Sequence, residues 1–548
     1  MKCTKILTAA IVLLFTCTVS AEVKKEANPP PGSYGVVGIG PGDPDLLTAR
    51  AVLAIRNADI VFCDSETRDR LAGVVDFQDK ENLEGYGALS PFYGRECSAL
   101  SVAEQTSHNL TCEAYHKKQR EFASLVRKAV ADGRNVVMLT PGDPTLYGQD
   151  SWTLTELADL RPGVVAGLSA FSAANAALQV GLGEVAITMP FQRTAGKEGK
   201  DSIENLARHE RAALVIFMHG DMDRLLNRLS AACPPDTPMA VVSHAGQKGK
   251  TTVTIGTIAD MARKLEGKDT NQSLVYVGKV LKEAQYVAKM AQKRNSQGKF
   301  YLVGVGPGDS DLATLRALEV IRKADVIFSS KRLTDRFEKE LSGKGPIDGY
   351  HRLFPFYGKK CSELSDEEKA REKMSCEDYH QKQAELAARV RKAVALGKTV
   401  PLLDSGDPLI YGPSSWTLKE FGDIETEVIP GLSCFNAANA ALAQGITDGN
   451  HFHSVILASG WSVEEMAALQ STMAIFTMRT DFKKCVDTLS MHYPPDTPVA
   501  IVSSAGYADR EKVLRARLDG IMEHMAKENL PFEYMIYVGD TLDPAARR

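Results

Sequence analysis

Three turns built from glycine, proline and aspartate carry the first chemical signal in this chain. Gly38-Ile39-Gly40-Pro41-Gly42-Asp43 closes one apolar run, Thr140-Pro141-Gly142-Asp143-Pro144 a second, and Gly167-Leu168-Ser169 a third. Such turns let backbone amides and carbonyls approach a ligand where side chains would collide. A dinucleotide fingerprint fits them poorly, because proline replaces a free amide and no acidic residue follows at the ribose-binding distance in a suitable strand. No Gly-x-x-x-x-Gly-Lys-Ser/Thr is present, which excludes a Walker P-loop. The second signal is a set of cysteines and histidines: Cys97, Cys112 and His116, then Cys361, Cys376 and His380. Each histidine follows its second cysteine at i+4, on one helical face. An equally spaced pair in each half reads most simply as a disulfide in an oxidising compartment, and a metal or haem-iron site is the alternative. No Cys-x-x-Cys-His is present, so covalent haem attachment is not supported.

These signals come in pairs because the chain repeats itself. Asp43 returns as Asp309, Asp143 as Asp407 and Gly167 as Gly431, with an offset that drifts by only two residues. One ancestral unit has been duplicated whole. Within a copy, apolar periodicity predicts short strands around 35–39, 59–62, 135–139 and 163–166, each ending near a turn. Helical spacing predicts helices over 48–58, 113–132 and 169–178 between them. That alternation is an α/β pattern with a mostly parallel sheet. Beyond residue 180 the runs 213–217, 239–243, 251–255 and 273–277 are strand-rich, so each copy reads as two lobes. The boundaries expected are 34–162 and 163–284 in the first copy, a linker over 285–298, then 299–426 and 427–548.

Composition excludes other classes. At 548 residues, 44 % hydrophobic and 24 % charged, the chain is an ordinary globular protein too long for one core. A net charge of −4 offers no basic surplus for nucleic acid. Lys2 and Lys5 precede an apolar run from Ile6 to Val19, and Val19-Ser20-Ala21 suits signal cleavage. The run is short for a membrane span, so the expectation is an exported, periplasmic or similar protein with residues 1–21 removed and a leader over 22–33. Cys63, Cys233, Cys434 and Cys485 have no matching cysteine in the other copy and read as buried small residues.

Taken in order, Gly-x-Gly-Pro-Gly-Asp, Gly-Asp-Pro-x-x-Tyr-Gly, Gly-Leu-Ser, Asp-Thr-Pro-x-Ala-Val-Val and Tyr-Val-Gly resemble the tetrapyrrole methylases, over 34–281 and again over 300–542. The resemblance implies a two-lobed α/β unit with S-adenosyl-L-methionine held between the lobes and a trough for a porphyrinoid or corrinoid. By similarity, Pro41, Asp43, Pro141, Gly142, Asp143, Leu146, Ser169, Ala170, Met218 and Ala245 line the cofactor site of the first copy. Pro307, Ser405, Gly406, Asp407, Ile410, Ser433, Cys434, Met478 and Ala505 line that of the second. For acid–base work it points to an aspartate after the second strand, matched by Asp64 but replaced by Ser330 in the second copy. A helix N-cap is the other reading of Asp64. It also points to a lysine in a later loop, matched by Lys359, where the first copy has Arg95. Arginine does not readily release a proton, so neither copy holds the full pair.

The family forms homodimers, so the tandem chain is expected to fold as an intramolecular pseudo-dimer. The reading that follows is methyl transfer to a tetrapyrrole carbon in porphyrin or corrin biosynthesis. The first copy, with Asp64 and Arg193, is the better candidate for catalysis. The alternative is an exported, non-catalytic binder of haem or a corrinoid, because an exported enzyme needs cofactor outside the cytoplasm.

Overall fold

Strand and helix alternate from Ser33 onward, with each glycine turn at the carboxyl end of a strand. The protein is seen here as a computed structural model, which describes residues 32–543 apart from 106, 191–200, 210, 218–219, 285–296, 449–452, 479, 527 and 529. The expected signal at 1–21, most of the leader, Arg193, Met218 and most of the linker lie outside the described residues.

The first lobe contains β1 (Ser33–Gly38), β2 (Ile60–Phe62), β3 (Glu81–Leu83), β4 (Asn135–Thr140) and β5 (Gly163–Val165). They form one parallel sheet in the order β3-β2-β4-β1-β5. β5 pairs with β1, so this strand, assigned by sequence to the second lobe, belongs to the first. The helix Cys112–Ala131 turns Tyr115, Phe122 and Val126 inward, and Phe122 packs edge-on against Phe62. The second lobe contains β6 (Val185–Thr188), β7 (Ala213–Phe217), β8 (Pro238–Ser243), β9 (Thr252–Thr257) and β10 (Ser273–Val277). The second copy repeats the plan with β11 (Lys299–Gly304), β12 (Thr399–Asp404) and β13 (Thr426–Ile429) in its first lobe. Phe328 bridges in parallel to Leu402 and to Ile347, at the places β2 and β3 hold in the first copy. Its second lobe holds β14 (Val455–Ser459), β15 (Thr472–Phe476), β16 (Pro498–Ser503), β17 (Lys512–Arg517) and β18 (Tyr534–Val538).

The two second lobes share one ten-stranded sheet, ordered β17-β16-β18-β15-β14-β6-β7-β10-β8-β9. At its centre β14 and β6 run antiparallel, with Val455 opposite Ile187, Ile456 opposite Ala186 and Leu457 opposite Val185. Each half of the order mirrors the other, so the copies meet as an internal pseudo-dimer. The inner strands are apolar on both faces, and both cores flanking the sheet draw residues from the two copies. Tyr276 and Tyr537 are fully buried at matching places, where each phenol donates to Asn175 or Asn439 Oδ1 at 2.8 Å. A phenol is tolerated there because it has a partner.

The first lobes are clamped across the same pseudo-axis. Arg50 makes a forked bond to Asp311, at 2.8 and 2.9 Å, and Arg316 returns it to Asp45, at 2.7 and 2.8 Å. Ala49 N donates to Ala313 O at 3.1 Å and Leu315 N to Leu47 O at 2.9 Å. Each helix after the first glycine loop therefore starts against the other copy. Among the described residues no helix is long and apolar enough to cross a membrane.

Candidate functional site

The three glycine turns of a copy converge on one another. A Cβ at Gly38 would lie 2.5 Å from Gly167 N, and one at Gly167 would lie 2.1 Å from Gly142 O. In the second copy a Cβ at Gly431 would lie 2.3 Å from Gly406 O. Backbone touches backbone here, so no side chain fits. Gly142 and Gly406 differ: both have positive φ, at 69° and 78°, and a Cβ at Gly142 would meet nothing within 4 Å. Gly42 and Gly308 press on the Ala245-Gly246 and Ala505-Gly506 turns, and Asp43 N and Asp309 N donate to Gly246 O and Gly506 O. The first loop thus joins one lobe to the other.

A cavity of about 210 Å³ opens between the lobes of the second copy. Pro307, Ser405, Gly406, Cys434, Met478 and Ala505, all named by sequence, line it together. Ser433 caps the helix Cys434–Leu442, accepting from Asn436 N, and Ser169 caps the helix Ala170–Leu178 in the same way. Burial pushes the Cys434 thiol up to about 12, so it stays protonated. Leu146 and Ile410 are buried in the shared core, and Leu182 bridges to Ile410 across the copies. Arg332, Arg352, Tyr507, Phe532 and Glu533 also line the cavity and were not singled out by sequence. Their signal was available as positions where the two copies disagree.

The aspartates of the motifs are anchors. Asp43 Oδ2 accepts from Arg316 at 3.0 Å and from Lys248 N at 2.9 Å. Asp143 is buried, accepts from Thr145 N and Oγ1 at 2.8 and 2.6 Å, and takes a third bond from Asn436 of the other copy. Burial raises its carboxyl, and these bonds oppose the rise. In the second copy Leu409 replaces Thr145, Ser172 stands where Asn436 does, and Asp407 Oδ2 makes no hydrogen bond of normal geometry among the described residues. Burial pushes Asp407 up to about 7, against the Leu409 amide and the nearby Ser172 hydroxyl. Tyr147 N and Ile446 N complete the exchange, donating to Thr447 Oγ1 and Thr145 O at 2.9 Å. Each Gly-Asp-Pro loop is therefore held by the opposite copy.

A second buried carboxylate has changed sides of its pair. In the first copy Thr140 donates to Asp150 at 2.9 Å, and in the second Asp404 accepts from Ser414 N at 3.2 Å. Burial pushes Asp150 up to about 6 and Asp404 up to about 7. An unfolded aspartate titrates near ~3.9, so the folded state keeps an extra proton above that pH. The stability these groups contribute is complete below about pH 4 and is lost as pH rises through 6 to 7. Asp404→Asn is expected to raise stability at pH 8 by about 1–3 kcal/mol and to flatten this pH dependence. Urea unfolding at pH 5 and pH 8 measures it, and an unchanged pH slope would count against the buried charge.

The candidate acid–base groups sit at the surface. Asp64 is exposed and caps the helix Ser65–Leu71, its Oδ1 accepting from Thr67 N at 2.6 Å, and Ser330 caps the helix Lys331–Arg336 likewise. The shared feature at this position is a cap, which explains why serine can replace aspartate. Arg95 and Lys359 occupy matching places after Gly94 and Gly358, paired with Glu104 at 3.4 Å and Glu368 at 3.8 Å. Both pairs are well exposed and contribute little.

Cys97–Cys112 and Cys361–Cys376 are disulfides. His116 Nδ1 lies 3.6 Å from Cys97 Sγ while Nε2 faces Phe92 O at 3.0 Å, and His380 repeats both contacts at 3.6 and 3.1 Å. The sulfur and nitrogen atoms of Cys112 and His116, or Cys376 and His380, are close enough for a metal. Sulfurs bonded to each other offer it no thiolate. Mass spectrometry of the unreduced protein is expected to find both bonds, and reducing each should lower stability by about 3 kcal/mol. Four free thiols would overturn the assignment.

Comparison with known proteins agrees with this architecture. The family description Tetrapyrrole (Corrin/Porphyrin) Methylases matches residues 35–262 and 299–521. The cobalt-precorrin-4 C(11)-methyltransferase of Methanocaldococcus jannaschii is 32 % identical over 258 residues, covering 45 % of this chain and 89 % of that protein. Siroheme synthase 1 of Klebsiella pneumoniae subsp. pneumoniae is 28 % identical over 264 residues, 45 % of this chain. The match spans 49 % of that synthase's length. The crystal structure of uroporphyrin-III C-methyltransferase from Thermus thermophilus aligns with a TM-score of 0.34 at 21 % identity, covering 46 % of this chain and 98 % of that one. The chain belongs to the tetrapyrrole (corrin/porphyrin) methylase family, with two family units in tandem.

Proposed function

We propose that the chain is an S-adenosyl-L-methionine-dependent methyltransferase acting on a carbon of a tetrapyrrole. The observation that carries this reading is the interlobe cavity of the second copy, lined by residues from both glycine-rich loops and from the Ala505 turn. Relatives named as precorrin and cobalt-precorrin methyltransferases support it. So does a solved uroporphyrin-III C-methyltransferase complexed with S-adenosyl homocysteine. In such a site the sulfonium methyl is held against an electron-rich ring carbon, and positioning supplies much of the rate. The backbone of Pro307, Ser405 and Gly406 would face the cofactor from the first lobe, with Met478 and Ala505 facing it from the second. Calorimetry with S-adenosylhomocysteine is expected to show micromolar binding to the whole chain. No binding to either copy overturns the proposal.

One observation favours a second reading, that of a non-catalytic tetrapyrrole binder. Asp64 is occupied as a helix cap, and Arg95 and Lys359 are paired at the surface. Methyl incorporation from labelled cofactor into a porphyrinoid, absent despite tight cofactor binding, would select it. The paired disulfides fit an oxidising compartment, and export is the proposed reason.

A further inference from the structure

Cys361, Cys376 and His380 do not line the interlobe cavity of their copy, so what they do is separate from the cleft. Cys97, Cys112 and His116 are their counterparts, and the two copies have diverged around them. Val102, Ala103 and Gln105 of the first connecting loop give way to Asp366, Glu367 and Lys369 in the second. The cysteines and histidines are kept, and so is their placement: the second cysteine opens a helix of 20 residues and the histidine follows one turn later. A bridge alone needs no histidine. A tether does not need it either, because Gln119 already ties the same loop, donating to Leu89 O at 2.7 Å and Pro91 O at 3.2 Å. Gln383 does the same to Leu353 O and Pro355 O.

Each imidazole is oriented by its far nitrogen. Phe92 O can only accept, so Nε2 of His116, facing it at 3.0 Å, carries the ring proton. Nδ1 is left with its lone pair, 3.6 Å from Cys97 Sγ. His380 sits likewise between Phe356 O at 3.1 Å and Cys361 Sγ at 3.6 Å. A ring N–H given to a backbone carbonyl is how proteins aim a metal-ligating histidine. The spacing agrees. Zn–S bonds of about 2.3 Å and Zn–N bonds of about 2.0–2.1 Å, at a tetrahedral angle, put nitrogen and sulfur about 3.6 Å apart. In each cluster the three donor atoms all lie within 4.8 Å of one another. Only the bond between the sulfurs withholds the thiolates.

We infer that reduction turns each bridge into a site for a thiophilic divalent ion of the zinc class, held by two thiolates and the histidine Nδ1. An external dithiol makes the change. Its thiolate attacks Cys97 Sγ, because Cys97 is half-buried while Cys112 is fully buried. Resolution of the mixed disulfide leaves the dithiol oxidised to a disulfide and Cys97 and Cys112 as thiols, a transfer of two electrons and two protons. The ion then displaces both thiol protons to solvent, while Nδ1 gives its lone pair without losing a proton. The helix amides at Cys112 and Cys376 favour negative charge on those sulfurs. Water takes the fourth position, and soft donors select against magnesium and calcium. Reoxidation rejoins the sulfurs and ejects the ion, so the chain holds metal only where its bridges are reduced.

The test uses the full chain, reduced anaerobically with a phosphine, freed of it and titrated with Co2+ as an optical probe. Two ions per chain should bind, giving tetrahedral visible bands and a sulfur-to-cobalt charge-transfer band. Zn2+ should bleach these bands and Mg2+ should not, and the oxidised chain should show none of them. His116→Gln keeps an amide N–H for Phe92 O and offers no imidazole, so a mere tether survives it. It is expected to weaken one of the two ions about 100-fold and leave the other, with circular dichroism of the oxidised variant checking the fold. No charge-transfer band in the reduced chain overturns the inference. So does equal binding by the oxidised chain, or an affinity that neither His116→Gln nor His380→Gln changes. Zinc-edge X-ray absorption on the reduced wild-type chain decides the matter should a variant misfold. A shell of two sulfurs, one nitrogen and one oxygen is the expected result, and a shell without sulfur overturns the site.

Discussion

Ile456→Asp is expected to unfold the whole chain rather than damage one copy. Ile456 is fully buried in β14, opposite Ala186 of β6, at the middle of the ten-stranded sheet. A carboxylate there has no partner on either face, and burying it costs several kcal/mol on top of the lost packing. A combined loss of about 5 kcal/mol or more consumes most of the net stability of a typical domain. Ile456→Val keeps the shape and should lose only about 1 kcal/mol. Urea unfolding followed by circular dichroism and by tryptophan fluorescence (Trp152 in the first copy, Trp416 and Trp461 in the second) separates the outcomes. Coincident loss of all signals is the expected result, and a first copy that stays folded while the second melts would show that the shared sheet is not cooperative.

Gly406→Arg is expected to abolish cofactor binding at the second copy while leaving most of the stability in place. Gly406 lies at φ 78° on the cavity wall, and a Cβ there would first meet Leu432 O at 3.8 Å. A long side chain can leave the backbone without collision and must then occupy the cavity. The left-handed backbone adds strain of about 1–2 kcal/mol. Gly406→Ala carries the same strain with little added bulk, so comparing the two isolates the filling of the cavity from the cost of the turn. Calorimetry should show binding lost in the first and retained in the second. Equal loss in both would mean that the turn's conformation, and not its open space, is what the ligand needs.

Much of this arrangement was legible from residue order. The strands 135–139 and 163–166 and the helices 113–132 and 169–178 lie within a residue or two of their expected limits, because strong periodicity coincides with glycine stops. β6 was not legible. Val185-Ala186-Ile187-Thr188 is four residues long, and one of its neighbours lies 268 positions later, at Val455 opposite Ile187. No local pattern reports a partner at that distance. Asp143 and Asp43 show a related limit. Their recurrence beside the glycines reads as ligand binding, yet their carboxylates bond Asn436 and Arg316 of the other copy. A repeated motif marks what the fold needs as readily as what the ligand needs. Arg352 escaped for the opposite reason: it is a departure from the repeat, and matching motifs draws attention away from mismatches.

The antiparallel seam between β6 and β14 also changes how this molecule responds to its surroundings. A dimer of separate subunits falls apart on dilution, but here both sides of the seam are on one chain and the pairing is independent of concentration. A substitution in a symmetric dimer also alters both sites at once. Across this seam each site can drift alone while the opposite copy keeps bracing its Gly-Asp-Pro loop. A copy that no longer meets ligand is then still required, as the internal chaperone of the one that does.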